Sequence, residues 1–401
     1  MSNNSNKGVN IFSTTDIHGF LYANQKKEGG LTTLFDLKKQ YPDCILIDNG
    51  DYFIGSDLAT YYSHAYEHSP LVDLANQIGF DVMVAGNHDF DFGLNYLKKQ
   101  VEKLDSAYLC CNAFDQSGEL IFDPYTIVER QGKRFGVIGA LTSAMPQLSD
   151  LKLLDEVHFV DAIGAIKKCI QELEGRVDYL ILAYHGGREA DMQTGKPTQY
   201  DTGEDQAYRI AKNFSQLDGL IFGHQHFLDA GVKDNLAYTQ SGSHGNFIGH
   251  IQIDAKDEKT AQLIDSTKLK ANKQILLEDQ VALEVWLDEK ANLEQFFTWL
   301  KENTSAYLDI EIQGSTRRDF KHSFSFPYSL SQYILTDQEL LQLARQTALD
   351  IEDLVFSVNE IKPDQKYYRI ITNRQELYPD HRKSLNYITA VFDKAFAKFI
   401  K

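Results

Sequence analysis

The first two-thirds of the chain alternates between short apolar runs and amphipathic segments. Residues 44–47 (Cys-Ile-Leu-Ile) and 179–184 (Tyr-Leu-Ile-Leu-Ala-Tyr) are continuously apolar, which is typical of strands that are buried on both faces. Between such runs lie segments such as 30–40, where Leu31 and Leu34 fall on one face of a helix. Strands that alternate with helices predict an α/β core.

The same periodicity predicts individual elements along the chain. Strands are expected at 9–15, 44–47, 82–85, 135–139, 179–184 and 220–222, with further strand-like segments within 239–253. Helices are expected at 30–40, 71–79, 94–104, 162–173 and 206–214. The pattern changes at 275–300, where apolar residues recur without Gly or Pro, so a long connecting helix is expected there.

These changes divide the chain into three parts. We expect an α/β domain over 1–272, a connecting helix over 273–305 and a small α+β domain over 306–401. The chain has 401 residues, and this is enough for two domains because domains usually run about 100–200 residues.

The composition is that of a globular protein with an acidic bias. Hydrophobic residues make up 43% of the chain, charged residues 24%, and the net charge is −17. A nucleic-acid polymer is not an expected partner because it binds basic surfaces. A small phosphorylated ligand is compatible with the charge, since bound cations can reverse the local field. No apolar run approaches the roughly 20 residues of a membrane span, so no membrane partner is expected.

The cysteines and the N-terminal residues favour a cytoplasmic location. Cys44, Cys110, Cys111 and Cys169 lack paired zinc spacing, and the adjacent Cys110 and Cys111 are a poor disulfide pair. We therefore expect buried, reduced thiols. Residues 1–8 are polar, and no signal-peptide core precedes the first predicted strand.

Polar residues of the metal-binding type follow five of the predicted strands. They are Asp16 and His18, Asp51, Asn87 and His88, His185, and His224 and His226. Ligand sites in α/β proteins lie at the carboxyl ends of strands, so the fold could bring these distant groups together. Each motif alone is more typical of a turn or a cap. Their joint occurrence predicts a metal site, and its mixed nitrogen and oxygen ligands suit Zn, Mn or Fe.

The stretch 84–91 (Val-Ala-Gly-Asn-His-Asp-Phe-Asp) concentrates this chemistry. An amide, an imidazole and two carboxylates lie within five residues, directly after an apolar run. Asn87 could bind a metal, His88 could face a phosphate, and Asp91 could orient His88. Asp89 is expected to be structural.

The sequence resembles the calcineurin-like metallophosphoesterases in an ordered set of motifs: Asp16-x-His18, Gly50-Asp51, Gly86-Asn87-His88-Asp89, His185 and Gly223-His224-Gln225-His226. Within that family it resembles the 5′-nucleotidase group, because Asp91 follows His88 by three residues, as in that group's catalytic dyad. Residues 184–191, 194–198 and 202–208 are similar to the 2′,3′-cyclic-nucleotide 2′-phosphodiesterase/3′-nucleotidase branch. The resemblance covers about residues 9–255.

The resemblance implies a four-layer α/β/β/α sandwich that holds two divalent metal ions. It assigns to the first ion the ligands Asp16, His18, Asp51 and His226. It assigns to the second ion Asn87, His185 and His224, with Asp51 as the bridge. It also implies that a metal-activated water attacks phosphorus, while His88, oriented by Asp91, assists the leaving oxygen.

Two departures from related sequences bear on the substrate. Protein Ser/Thr phosphatases carry an arginine shortly after the Gly-Asp turn, and residues 50–56 have none, so a phosphoprotein substrate is not expected. The C-terminal domain of nucleotidases supplies an aromatic clamp for the base, but Tyr328 falls where an Asn is expected and the glycine-rich segments are not recognisable. We therefore interpret this domain as reduced. Its aromatic residues are interpreted as core or interface residues, and they are Phe324, Phe326, Tyr328 and Tyr333.

Three functions remain open at this point. The leading hypothesis is a metal-dependent hydrolase of nucleotides, acting as a 5′- or 3′-nucleotidase, a 2′,3′-cyclic-nucleotide phosphodiesterase, or both. The second keeps the same dinuclear site but assigns it a nucleotide sugar, a dinucleotide or another phosphometabolite. The third is a catalytically silent binding or regulatory protein, which is disfavoured because none of the ligands is lost. No residue is assigned to substrate binding.

Overall fold

A computed structural model describes residues 8–23, 29–149, 151–199 and 201–269, together with four short strands farther along the chain. The chain divides into two compact units: Met1–Pro146 with Leu151–Leu277, and Gln147–Asp150 with Glu278–Lys401. Every residue of the predicted site lies in the first unit.

The first unit is built from fourteen described strands and the helices that connect them. The strands are β1 (Val9–Thr14), β2 (Ile45–Asp48), β3 (Val82–Val84), β4 (Ala107–Leu109), β5 (Ala113–Phe114), β6 (Tyr125–Arg130), β7 (Lys133–Leu141), β8 (His158–Phe159), β9 (Tyr179–His185), β10 (Gly219–Phe222), β11 (Leu228–Lys233), β12 (Leu236–Ser241), β13 (Phe247–Ile253) and β14 (Lys259–Asp265). The described helices are α1 (Thr32–Gln40), α2 (Asp57–Ala65), α3 (Pro70–Ile78), α4 (Leu94–Val101), α5 (Met145–Leu148), α6 (Leu151–Leu154), α7 (Ala162–Leu173) and α8 (Ala207–Asn213), with 3-10 turns at His88–Phe90 and Ser266–Lys268.

Two six-stranded sheets form the framework of this unit. Their strand orders are β14-β13-β1-β2-β3-β4 and β11-β12-β10-β9-β7-β6. The strands β1 to β4 run parallel, and β13 pairs antiparallel with β1, with Val9 opposite Ile253. In the second sheet β7, β9, β10 and β12 run parallel, while β6 and β11 are antiparallel edges. A two-stranded sheet of β5 and β8 completes the pairing.

Alternate residues of the strands face two different cores, and this produces four layers. One core joins the two sheets and includes Ile11, Ile47, Val84, Val137, Ile181 and Ile221. The opposite face of the first sheet packs against α1, α3 and α4 through residues such as Leu46, Leu34, Leu74 and Leu97. The opposite face of the second sheet packs against α7 and α8 through Leu182, Ile166, Leu173 and Ile210. The predicted α/β/β/α sandwich is therefore confirmed.

Local sequence signals explain where the helices begin and end. The Ser69 side chain accepts a hydrogen bond from the Leu71 N–H, Pro70 occupies the first turn, and Gly79 ends α3 with φ +72°. These are the favoured residues at the two ends of a helix. Asp161 caps α7 by accepting from the Gly164 N–H at 2.7 Å.

All of the predicted strands and helices of the first unit are confirmed. The pattern did not identify α2, the small β5–β8 sheet or the four edge strands, which are β4, β6, β11 and β14. β4 has only three residues, and β6, β11 and β14 are partly exposed and carry polar residues. These strands therefore lack the apolar run that marks a buried strand. All four cysteines are buried free thiols.

The second unit contains a four-stranded sheet among its described residues. Its strands are β15 (Tyr307–Asp309), β16 (Ser331–Leu335), β17 (Tyr368–Thr372) and β18 (Lys383–Ser384), in the order β15-β17-β16-β18. The predicted connecting helix lies outside the described residues. Within the described part of the chain, every helix is too short or too polar to cross a bilayer.

Candidate metal centre

The seven predicted metal ligands come from the carboxyl ends of five parallel strands, three in the first sheet and two in the second. Asp16 and His18 follow β1, Asp51 follows β2, Asn87 follows β3, His185 ends β9, and His224 and His226 follow β10. Because neighbouring parallel strands end at the same edge of a sheet, the fold brings all seven residues into one cluster.

Five of these residues have a backbone conformation that side chains other than glycine rarely adopt. The φ angles are +53° for Asp16, +53° for His18, +55° for Asp51, +70° for His224 and +59° for His226. Each such residue costs roughly 1–3 kcal/mol, and such strain accumulates at functional sites. These residues lie in tight turns just after the strands, and the turns impose the strained backbone conformation.

Asp16, His18 and His226 form the first half of the centre. His18 Nε2 lies 3.2 Å from His226 Nε2, and His226 Nε2 lies 3.3 Å from Asp16 Oδ1. His18 Nδ1 donates to the carbonyl oxygen of Ile54 at 2.8 Å. Because a carbonyl only accepts, neutral His18 presents the Nε2 lone pair to the cluster.

Asn87, His185 and His224 form the second half. Asn87 Oδ1 lies 3.1 Å from His185 Nε2 and 2.8 Å from His224 Nδ1. His185 Nδ1 donates to the carbonyl oxygen of Asn49 at 2.6 Å, so neutral His185 also presents its Nε2 lone pair inward.

Two buried carboxylates lie between the halves. Asp51 Oδ2 is 3.2 Å from His185 Nε2 and 3.8 Å from His18 Nε2. Asp16 Oδ1 is 3.9 Å from His185 Nε2 and contacts His226 on the other side. The resemblance named Asp51 alone as the bridge, whereas in the structure Asp16 also belongs to both ligand groups, one with His18 and His226 and one with Asp51 and His185.

The spacing of these atoms is compatible with the binding of divalent metal. Ligand atoms about 2.1 Å from a shared ion lie roughly 3.0–3.4 Å from each other in octahedral or tetrahedral geometry. The separations of 3.1 to 3.3 Å among His18, His226, Asp16, His185 and Asn87 fall in this range. Nitrogen and oxygen donors in one cluster suit Zn, Mn or Fe.

The charges of the centre favour cations. Burial opposes the ionisation of Asp51, but His185 and His88 outweigh it and hold the Asp51 pKa well below its usual range. His226 has the same effect on Asp16, whose pKa is lowered despite burial. Burial alone would lower the pKa of His185, yet Asp51 raises it to about 9. Ionised carboxylates in a buried cluster attract positive charge, whether a proton or a metal ion supplies it.

His88 and Asp91 form a hydrogen-bonded pair beside the ligands. His88 Nδ1 lies 2.8 Å from Asp91 Oδ2, because the 3-10 turn at His88–Phe90 places residues three apart on the same side. The His88 N–H donates to Asp51 Oδ1 at 2.8 Å, and the His88 ring lies 5.5 Å from that of His18 between centroids. The predicted dyad is thus assembled at the edge of the centre.

Asp89 holds the turn that carries Asp51. Its carboxylate accepts from the backbone N–H groups of Asp51, Tyr52 and Phe53 at 3.1 to 3.2 Å. It also accepts from the Gly86 N–H at 2.9 Å. Asp89 therefore has the structural role that was expected of it, and through this turn it positions a metal ligand.

Glu204 is a part of the site that sequence reasoning missed. Its Oε1 lies 2.7 Å from His224 Nε2, so a carboxylate contacts the face of His224 that points away from Asn87. The only signal for it was the resemblance of residues 202–208 to one family branch, which assigned no role to Glu204.

His244 was also missed, and it lies beside the first half. Its backbone N–H donates to the carbonyl oxygen of Asp16 at 2.8 Å, and its φ is +56°. The His244 ring centroid is 6.0 Å from that of His18, 6.2 Å from that of His226 and 4.1 Å from that of Phe20. It follows β12, where the sequence offered no strand-end motif of the kind that marked the other ligands.

Comparison with known proteins supports the resemblance. A family model described as calcineurin-like phosphoesterase matches residues 9–228, which is more than half of the 401 residues. The matched segment contains all seven predicted ligands together with His88 and Asp91.

Curated relatives include several nucleotide phosphoesterases. The trifunctional nucleotide phosphoesterase protein YfkN of Bacillus subtilis is 26% identical over 63% of this chain and 20% of its own length. The 2′,3′-cyclic-nucleotide 2′-phosphodiesterase/3′-nucleotidase of Yersinia enterocolitica is 28% identical over 54% of this chain and 36% of its own. The 5′-nucleotidase of Vibrio cholerae is 29% identical over 54% of this chain and 40% of its own. The aligned part of this chain thus spans less than half of each of these relatives.

Solved structures with a similar fold include two named as nucleotidases. A proposed 5′-nucleotidase from Staphylococcus aureus, in complex with alpha-ketoglutarate, superposes with a TM-score of 0.70 at 21% identity, covering 97% of this chain and 96% of that one. The NAD nucleotidase of Haemophilus influenzae gives a TM-score of 0.68 at 16% identity, covering 97% of both chains. At these identities the likeness concerns the fold.

Proposed function

Because the chain belongs to the calcineurin-like phosphoesterases, we propose that it hydrolyses phosphoesters of nucleotides with a pair of divalent metal ions. The observation that carries this proposal is the convergence of the seven ligand side chains and the His88–Asp91 pair at one edge of the sandwich. A cluster used only for stability would not need five strained residues and two buried carboxylates that favour a cation.

The ligands divide between two ions. Asp16, His18 and His226 would hold the first ion, and Asn87, His185 and His224 the second. Asp51, which contacts both halves, would bridge the pair. When bound, such ions would lower the pKa of a water molecule and neutralise charge on the phosphoryl oxygens.

The residues of the chain contribute positioning and proton transfer. Asp91 accepts a hydrogen bond from His88 Nδ1, which fixes the imidazole and leaves Nε2 directed away from Asp91. When His88 is protonated, Nε2 carries the proton that the leaving oxygen takes up, and its charge stabilises the phosphoryl group as the bond breaks. Asp89 and the strained turns keep the ligands in place, so little reorganisation accompanies the reaction.

Nucleotides are the substrate class that the relatives favour. The curated relatives bear names that include 5′-nucleotidase and 2′,3′-cyclic-nucleotide 2′-phosphodiesterase/3′-nucleotidase. Residues 184–208, which resemble the second branch, contribute His185 and Glu204 to the centre. We therefore propose 2′,3′-cyclic and 3′-nucleotides as the first substrates to examine, followed by 5′-nucleotides.

The test is phosphate release or ring opening from 2′,3′-cyclic AMP, 3′-AMP and 5′-AMP with Mn²⁺. The wild-type chain is expected to turn over at least one of them, and Asn87→Ala is expected to lose most of this activity because it removes a ligand of the second ion. The exposed Asn213→Ala, at the end of α8, is the matched control and should behave as wild type. Turnover of none of the three, together with an Asn87→Ala variant that leaves hydrolysis of a generic aryl phosphate unchanged, would refute the proposal.

A second candidate keeps the same centre but changes the substrate to a nucleotide sugar, a dinucleotide or another phosphometabolite. It is favoured by the sequence around Tyr328, which departs from the resemblance in the domain that supplies the base pocket. Adding a dinucleotide and a nucleotide sugar to the same assay separates the two candidates, since preference for either over the mononucleotides selects the second.

A further inference from the structure

Residues 202–206 (Thr-Gly-Glu-Asp-Gln) lie directly before α8, and the proposed reaction does not use them. Glu204 and Asp205 are nonetheless only 5% and 6% exposed. Burying two adjacent carboxylates is costly unless hydrogen bonds compensate, so the partners of this pair indicate what it does.

Glu204 is directed at the second half of the centre. Its Oε1 lies 2.7 Å from His224 Nε2. An ionised carboxylate only accepts, so Nε2 carries a proton. When the ring is neutral, Nδ1, which lies 2.8 Å from Asn87 Oδ1, is therefore the nitrogen left to bind an ion. The Glu204 backbone is itself fixed, because its carbonyl oxygen accepts from Thr142 Oγ1 at 2.6 Å and from the Tyr184 hydroxyl at 3.2 Å.

Asp205 ties together the two loops that supply histidines to the second half. Its Oδ1 accepts from the Gly187 N–H at 2.7 Å, two residues after His185. Its Oδ2 accepts from Gln225 Nε2 at 2.9 Å, and Gln225 immediately follows His224. The same carboxylate therefore contacts the loop after β9 and the loop after β10.

In the first half of the centre, a backbone group rather than a carboxylate orients the histidine His18. His18 donates to the backbone carbonyl of Ile54 at 2.8 Å. Glu204 and Asp205 contact His224 and the two loops of the second half, and Asp51 and Asp16 connect this half to the first.

We propose that Glu204 and Asp205 are positioning residues that set the affinity of the second metal ion, with Glu204 orienting His224 and Asp205 fixing the two histidine loops. This inference rests on the proposed two-ion function. Carboxylates that orient ligating histidines typically change metal affinity by about 10- to 100-fold, so the expected effect is a selective loss of the second ion.

The experiment is a calorimetric titration of Mn²⁺ into the full chain after metal removal by a chelator, with bound metal counted after gel filtration. Wild type is expected to bind two ions. Glu204→Ala should bind the first ion as wild type does and the second about 10- to 100-fold more weakly. Glu204→Gln should recover most of the affinity, because its amide oxygen can still accept from His224 Nε2.

Glu189→Ala is the matched control. Glu189 is a buried carboxylate from the same region that accepts from the Arg209 N–H at 2.8 Å, so its loss loosens the loops without removing a partner of His224. Melting of the metal-free variants is measured in parallel. The inference requires that Glu204→Ala weaken the second ion far more than Glu189→Ala does, at comparable melting temperatures.

Three results would overturn the inference. The first is that Glu204→Ala binds both ions with wild-type affinity. The second is that Glu204→Ala loses affinity equally for both ions. The third is that Glu189→Ala loses as much affinity for the second ion as Glu204→Ala does. A wild-type chain that binds fewer than two ions would overturn the two-ion function as well. Two ions bound by wild type without nucleotide hydrolysis would refute the proposed substrate while leaving the role of Glu204 intact.

Discussion

His88 Nδ1 and Asp91 Oδ2 lie 2.8 Å apart across a single 3-10 turn, and both residues are buried at the edge of the metal centre. The bond fixes the imidazole tautomer, so Nε2 is the nitrogen that points away from Asp91. Nearby, the His88 backbone N–H donates to Asp51. The proposed acid is therefore held by its side chain and its backbone at once.

Replacing His88 should affect catalysis far more than metal binding. We expect His88→Gln to lower kcat by about 10²- to 10⁴-fold, the usual contribution of a positioned general acid, with metal content unchanged. Asp91→Asn should give a smaller loss, because the imidazole remains but its orientation is less constrained. Steady-state kinetics together with metal analysis measure both effects. A His88→Gln variant with wild-type kcat would remove His88 from the mechanism.

Removing Asp89 should destabilise the fold and loosen Asp51. Asp89→Ala leaves four buried backbone N–H groups without their acceptor, and we expect a loss of about 3 kcal/mol in unfolding free energy. Urea denaturation of the metal-free chain measures this. The exposed Asp105→Ala serves as the control and should stay within about 0.5 kcal/mol of wild type. Equal effects from the two variants would contradict the structural role of Asp89.

A methyl group at Gly86 should displace Asp51. A Cβ at this position would lie 2.1 Å from both the backbone nitrogen and Oδ1 of Asp51, and a backbone atom cannot move aside cheaply. Gly86→Ala should therefore weaken Mn²⁺ binding by on the order of 10- to 100-fold, as for other losses of ligand orientation. Gly118→Ala places a Cβ in open space but at a strained φ of +84°, so it should cost some stability and leave Mn²⁺ affinity unchanged. Wild-type affinity in Gly86→Ala would show that Asp51 is not held as described.

Metal binding should release protons near neutral pH. In the metal-free chain burial opposes protonation of His185, but Asp51 and Asp16 raise its pKa to about 9, so at pH 7.5 it holds a proton that an ion must displace. Burial lowers the pKa of His18 to about 3, so His18 releases none. Affinity should consequently weaken as pH falls below 9, by about tenfold per pH unit for each proton released.

Calorimetry in buffers of different ionisation enthalpy measures this release. Titrations of Mn²⁺ at pH 7.5 should give heats that depend on the buffer, corresponding to roughly one proton per chain from His185. Heats that do not depend on the buffer, with affinity flat between pH 6.5 and 9, would contradict the protonated state of His185.

The framework of the fold was predictable because its central strands are buried on both faces. The runs at 44–47 and 179–184 are continuously apolar, and the corresponding strands β2 and β9 are fully buried. The edge strands were missed because they are not buried on both faces. In β6, for example, every residue is at least partly exposed, so its sequence mixes polar and apolar residues and carries no clear period.

The convergence of the seven predicted ligands was predictable because each one ends a strand or follows it within a few residues, and the carboxyl ends of neighbouring parallel strands lie at one edge of a sheet. Glu204 and His244 were not predictable in this way, because they reach the centre from loops whose course depends on tertiary hydrogen bonds. Glu204 is held by Thr142 and Tyr184, which are distant in sequence. The position of Asp16 between both halves likewise depends on how the two sheets pack, and no local pattern encodes it.

The most direct test of the account is the number and separation of metal ions in crystals of the chain grown with Mn²⁺. Anomalous diffraction at the manganese edge is predicted to show two peaks about 3.5–4 Å apart, one among Asp16, His18 and His226 and the other among Asn87, His185 and His224, with Asp51 contacting both. A single peak, or peaks away from these residues, would contradict the two-ion centre on which the proposed hydrolysis depends.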